Sequence, residues 1–252
     1  MQTSMSGCGG LSLYTLEARP RVISFTLGDP GDLVRQAHAV GARVMLQVTT
    51  VAQAVQAAER AVDVIIAQGG ESGGYCGEVS TMALVPQVVD AVSPIPVVAS
   101  GGIFDGRGIA AALMLGAVGV NLGTRFIASK EAPGSEEWKQ AILHANSEDS
   151  IKVEVLNDIS PGPGAVGFGT VLRSLRTPFL DEWSGKREEA RCDRDRLRDE
   201  ILATHQAGRP HETLLTAGQT AGGIMEILPV AEIMRRLVME TEAALSRAGA
   251  FS

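Results

Sequence analysis

The stretch "IPVVASGGIFDGRGIAAALMLGAVGVNLGTRF", residues 95–126, decides the fold. It opens on a short β-branched run, turns at paired glycines, passes through a segment of small residues, and closes on a second β-branched run that again meets glycine. Continuous apolar runs of this length fit strands buried on both faces of a parallel sheet. The small residues between them suit a helix packed closely on that sheet.

The same unit recurs toward the amino terminus. Strands are expected at residues 21–27, 43–50 and 62–70, with helical patterns after the first two and a further helix at 81–92. Alternating strands and helices are the signature of βα units around a parallel sheet. Beyond Phe126 the segments lengthen and become charged, and no clear strand is legible. Residues 186–205 read as one solvent-facing helix laced with charge pairs, residues 227–248 as an amphipathic terminal helix, and "PGPGAVGFG" as a loop. Five strands fall short of the eight that close a (β/α)8 barrel. Three arrangements remain open: an open sheet, a barrel lacking its first strands, or one completed by a partner.

Composition narrows the function classes. The chain has 252 residues, 45% apolar and 20% charged, enough to bury a sizeable core, and its length suits one large α/β domain or two small ones. A net charge of −7 without a long basic run offers no footprint for nucleic acid or an anionic membrane. No stretch approaches the roughly 18 apolar residues of a membrane span. Three widely spaced cysteines form neither a disulfide framework nor a metal cluster, the four histidines lack ligand spacing, and the expectation is a cytoplasmic protein without a metal. Residues 1–20 read as a polar lead-in.

The chemistry concentrates at strand ends, where α/β folds bind ligands. "SGGI" (residues 100–103) and "LGTRF" (residues 122–126) each follow a strand, one βα unit apart. Glycines there let backbone N–H groups approach a phosphate. "AQGGESGGYCGE", residues 67–78, carries Glu71, Tyr75 and Cys76 after the third strand. Glu71 suits orienting the loop better than acting as a base. With nothing basic adjacent in sequence, Cys76 reads as a neutral loop thiol. Asp105 reads as a helix cap, and Arg125 as a phosphate neighbour or a structural ion-pair member.

These motifs, with "LVPQVVDAV" and the late "LLTAGQTAGGIMEILPVAEIMRRL", resemble the nitronate monooxygenases, formerly the 2-nitropropane dioxygenases, over about residues 22–237. The resemblance implies a TIM-type barrel that holds FMN at its strand ends and oxidises alkyl nitronates with molecular oxygen. It implies one flavin-barrel domain over residues 21–252, with mostly helical post-barrel segments over 127–252. Ser100, Gly101, Gly102, Gly123 and Thr124 match the positions that hold the FMN phosphate. Gln68 and Gly69 match the loop beside the flavin, and Gly218 with Gln219 the segment that closes over it.

This sequence departs from the family pattern in two ways. Family members carry "EAGGH" where this chain has "ESGGY", so Tyr75 stands in place of the catalytic histidine. A phenol with pKa near 10 is a poor general base at neutral pH, whereas a nitronate, already an anion, needs none. The other departure is that the family's first three βα units have no counterpart here, so an incomplete barrel is expected. The expected partners are a nitronate or nitroalkane and O2, with self-association left open. The alternatives are an FMN-dependent enoyl-ACP reductase-like enzyme and a truncated, non-catalytic relative unable to hold flavin.

Overall fold

The structure, a computed structural model, describes residues 17–160 and 169–249. Five strands, β1 (Val22–Phe25), β2 (Arg43–Val48), β3 (Val64–Gln68), β5 (Val97–Ser100) and β6 (Gly119–Asn121), form one parallel sheet in the order β1-β2-β3-β5-β6. They fall inside the five stretches expected from the sequence. Each is followed by a helix: α1 (Leu33–Ala39), α2 (Val51–Glu59), α3 (Thr81–Val92), α4 (Gly106–Met114) and the short α5 (Thr124–Ile127). Among the described residues β1 and β6 are the two edges, and they do not pair with each other.

The alternation of side chains along each strand sorts the sheet into two faces. Val44, Leu46, Ile65, Ala67, Val97 and Ala99 enter one core with Val34, Ala54, Leu84, Val85 and Val88 of the helices. Burying each of the larger of these side chains contributes about 1.5–3 kcal/mol. The intervening positions, among them Gln47, Gln68 and Ser100, face the other way. Local capping sets the helix starts: Thr50 accepts from Gln53 N at 3.2 Å, and Asp105 from Arg107 N at 3.0 Å and Gly108 N at 3.1 Å.

At the amino-terminal edge of the sheet, Asp63 accepts from Val44 N at 2.7 Å and Arg43 Nη1 at 2.5 Å and hydrogen-bonds His38 Nε2 at 2.9 Å. Burial pushes its carboxyl up, but the Val44 N–H, Arg43 and His38 outweigh burial and hold it at about 2, against an ordinary 3.8. A depressed carboxyl stabilises the fold above its unfolded value, and that contribution fades as pH falls through the folded value. Asp63→Asn is therefore expected to cost about 1–2 kcal/mol at neutral pH and progressively less between about pH 4 and 2. Thermal unfolding of both proteins across that range checks it, and a pH-independent difference would refute the assignment.

The region after Phe126 corrects the expectation that it holds no clear strand. β7 (Ser150–Lys152) and β8 (Val171–Leu175) join β4 (Gly74–Cys76) in a small antiparallel sheet of order β4-β8-β7. These strands are only three to five residues long and mix polar with apolar positions, so they carry no periodic signal. What forms them is pairing across long sequence separation. The segment read as one charged helix is two, α9 (Arg187–Cys192) and α10 (Arg194–Gln206), broken at Asp193. The break lets Ala190 and Leu197 both bury in one cluster with α7 (Val155–Ile159) and α8 (Pro178–Trp183). The loop read at residues 161–169 lies, apart from Gly169, outside the described residues, as does most of the lead-in.

α6 (Glu136–His144) packs Ile142 against Ala217, Ala221 and Ile224. The terminal helix α11 (Val230–Gly249) lies on α4 so closely that a Cβ at Gly106 would stand 2.3 Å from Thr241 N. Among the described residues no helix is long and apolar enough to cross a membrane, and no group of three potential ligands could hold a metal ion.

Candidate flavin site

Three loops meet at the carboxyl ends of β3, β5 and β6. Register places Gln68 beside Ser100 and Ser100 beside Asn121, so the glycines that follow leave adjacent strands at matching heights. Gly101 and Gly102 adopt φ of +92° and +70°, a conformation that excludes ordinary side chains at little cost only for glycine. The N–H groups of Gly102 and Gly123 donate to no backbone acceptor among the described residues. A Cβ at Gly123 would meet nothing within 4 Å. Two backbone donors without a backbone acceptor, on the loops of adjacent strands, are the kind of group that takes up a phosphate.

The third loop, after β3, is fixed from several sides. Gly69 N donates to Ser100 O at 2.8 Å and Gly70 N to Val79 O at 2.8 Å. The Glu71 carboxylate accepts from Thr81 N at 2.9 Å and Thr81 Oγ1 at 2.9 Å, closing the amino end of α3. That geometry gives Glu71 an orienting task and leaves its carboxylate engaged. The late "AGQ" segment is stitched to the same place: Gly218 N donates to Thr124 Oγ1 and Gln219 N to Glu71 O, both at 2.9 Å. Gly73 and Gly218 permit the approach, since a Cβ on either would stand under 3.0 Å from backbone of the other loop.

Within this assembly Gln68 Oε1 and Ser72 Oγ are buried without a hydrogen-bond partner among the described residues. Other buried polar atoms of the described residues lack a partner elsewhere, among them Trp138 Nε1 and Asn157 Oδ1, but Gln68 Oε1 and Ser72 Oγ belong to one strand-end loop, where a ligand or water would satisfy them. The residues present fit a phosphate-bearing cofactor of the FMN type, with backbone donors at Gly102 and Gly123 and unpaired polar atoms at Gln68 and Ser72.

Tyr75 goes elsewhere. In β4 it pairs with Leu172, and paired residues share a face. Its ring packs on the cluster built from α7 to α10, and its hydroxyl donates to Ser160 O at 3.1 Å. Cys76, one position on, turns to the opposite face, fully buried, with Sγ 3.5 Å from Val171 O. Burial pushes its thiol up, although Arg173 and Lys152 lie close enough to pull it down. Basic neighbours absent in sequence are thus present in space, and the thiol stays neutral. Arg125 is buried, its Nη2 donating to Ala128 O and Glu226 O at 2.8 Å, and among the described residues no carboxylate forms the ion pair considered for it. It borders a cavity of about 490 Å³ between α4 and α11, shared with Phe104, Arg107, Arg236 and Leu237.

Sequence reasoning missed Ser72, Thr81 and Arg173. Ser72 and Thr81 sit within or beside a motif already singled out. Arg173 had no signal beyond a lone charge in an apolar run.

A parallel sheet with glycine-lined loops at neighbouring strand ends defines an α/β protein of the class that binds ligands at the carboxyl ends of its strands. The chain belongs to the nitronate monooxygenase family, whose model matches residues 11–240. It is 38% identical over 154 residues to a "probable nitronate monooxygenase" of Staphylococcus haemolyticus, covering 56% of this chain and 43% of that protein. The chain spans less than half the length of the first curated relatives it matches. Among solved structures it resembles FabK from Thermotoga maritima, with a TM-score of 0.84 and 32% identity over 94% of this chain and 73% of that one. Nitroalkane oxidase from Streptomyces ansochromogenes gives a TM-score of 0.79 at 28% identity, covering 92% of this chain and 67% of that one.

Proposed function

We propose that this chain is an FMN-dependent oxidoreductase that oxidises alkyl nitronates with molecular oxygen, its parallel sheet corresponding to the last five units of an eight-unit barrel. The observation that carries the reading is the pair of orphaned polar atoms, Gln68 Oε1 and Ser72 Oγ, beside the free Gly102 and Gly123 amides. When bound, FMN supplies the redox chemistry. The chain's own contribution is placement: Ser100, Gly101, Gly102, Gly123 and Thr124 hold the phosphate end. Gln68 and Gly69 border the ring, and Gly218 with Gln219 close the site over it.

Tyr75 has no part in proton abstraction in this reading, because β4 turns its side chain toward the helical lobe. The substrate is accordingly the preformed anion. The protein works in the cytoplasm on small molecules.

The test is the visible spectrum of the purified chain, with released flavin identified after heating and nitronate turnover assayed in air. Bands near those of free flavin, FMN in the supernatant and nitronate consumption support the reading. A colourless protein that takes up no added FMN refutes it in favour of a relative unable to hold flavin. A yellow protein that reduces an enoyl thioester with NADH, and leaves nitronates untouched, refutes it in favour of a reductase.

A further inference from the structure

Behind the loop after β3 lies Arg173 of β8, only 7% exposed. Its Nε and Nη2 both donate to Gly70 O, at 3.1 and 2.8 Å, and its Nη1 to Ser150 O at 2.5 Å. None of the ion pairs among the described residues includes it, and the nearby Glu71 carboxylate is engaged by Thr81. The cross-strand partner of Arg173 is Gly74, which has no side chain to compete for that face. Lys152 lies beside it on β7, donating to Gly77 O at 2.6 Å and paired with the exposed Glu78.

A guanidinium buried without a counter-ion is costly unless carbonyl dipoles or a bound anion compensate it. Here two carbonyls do so in part, and the planar fork explains why arginine rather than lysine occupies the position. Gly70 is thereby clamped at both polar groups, its N–H on Val79 O and its C=O on Arg173. The clamp sets the height of the backbone from Gln68 to Ser72, the segment that carries both orphaned atoms.

We propose that Arg173 is a positioning residue of the site: it anchors the glycine loop from behind through Gly70, and its positive charge makes the site favour an anionic substrate over the neutral conjugate acid. The anion half rests on the nitronate reading above. The loop half does not.

Two variants separate geometry from charge. Arg173→Lys keeps the charge but cannot span both carbonyls, and Arg173→Gln removes the charge. By hydrogen–deuterium exchange of the flavin-free chain, amides of residues 69–74 are expected to exchange about ten-fold faster in both variants, with β1 and β2 unchanged. Wild-type exchange rates in that loop for Arg173→Lys would overturn the anchoring role even if Arg173→Gln failed to fold. So would a wild-type protein in which Gly69 and Gly70 amides exchange as fast as an open turn.

With FMN loaded, KM for an alkyl nitronate is expected to rise about ten-fold in Arg173→Gln and little in Arg173→Lys, while KM for the parent nitroalkane stays put. Equal changes for both substrates would overturn the charge half. A wild-type chain that takes up no FMN sinks the proposed function and the anion half with it, and leaves the exchange result to decide the loop half.

Discussion

Gly218→Ala is expected to cost the site its FMN, with affinity falling by roughly 30-fold or more. A Cβ at Gly218 would lie 2.6 Å from Glu71 O and 2.9 Å from Gly73 N, and both are backbone atoms that cannot swing away. Overpacking of this kind costs typically about 1–3 kcal/mol. Relief by separating the loops would break Gly218 N to Thr124 Oγ1 and Gln219 N to Glu71 O, each worth about 1 kcal/mol. Either route costs roughly 2 kcal/mol, which corresponds to the stated affinity change. Because φ at Gly218 is −81°, backbone strain contributes nothing and the effect is steric alone. Gly185→Ala, where a Cβ would meet nothing within 4 Å, serves as the control. Fluorescence titration with FMN measures both, and wild-type affinity in Gly218→Ala would show that the late loop does not close the site.

The other large effect is selectivity between two protonation states of one substrate. General-base catalysis contributes typically about 10²–10⁴-fold, and the described residues leave no free base at the loop. Glu71 is bound to Thr81, the Cys76 thiol is buried and pushed up, and Tyr75 faces the helical lobe. Turnover of an alkyl nitronate is therefore expected to exceed that of its parent nitroalkane by about two to four orders of magnitude at neutral pH. Tyr75→His should not close that gap, because a histidine in β4 would project to the same face as the tyrosine. Oxygen consumption with pre-equilibrated nitronate and with fresh nitroalkane separates the cases. Comparable rates for the two, or a Tyr75→His variant that gains nitroalkane turnover, would place a working base where the geometry has none.

Much of the main sheet is legible in the sequence because its signals are local. Val97 to Ser100 is a short apolar run closed by glycine, and Asp105 caps the helix that follows. Such features depend on residues within a few positions of one another. The phosphate-type glycines are legible for the same reason, since backbone donors need only the absence of side chains at adjacent strand ends.

The back of the site is different. Arg173 reaches Gly70 across 103 positions, and β4 exists only because β8 pairs with it. Neither strand has periodicity of its own, so nothing local distinguishes them from loop. Tyr75 shows the consequence most sharply. Its place in the motif suggested a residue at the flavin, yet the face it takes follows from strand pairing, and a shift of one residue would reverse it.

The sequence by itself determined the βα order, the glycine-lined strand ends and membership of the family pattern, because these rest on short-range sterics and burial. Only the tertiary structure decided which loop residues face the site, that Glu71 caps a helix, and that a buried arginine stands behind the loop. Those outcomes depend on contacts between segments whose pairing no local property encodes.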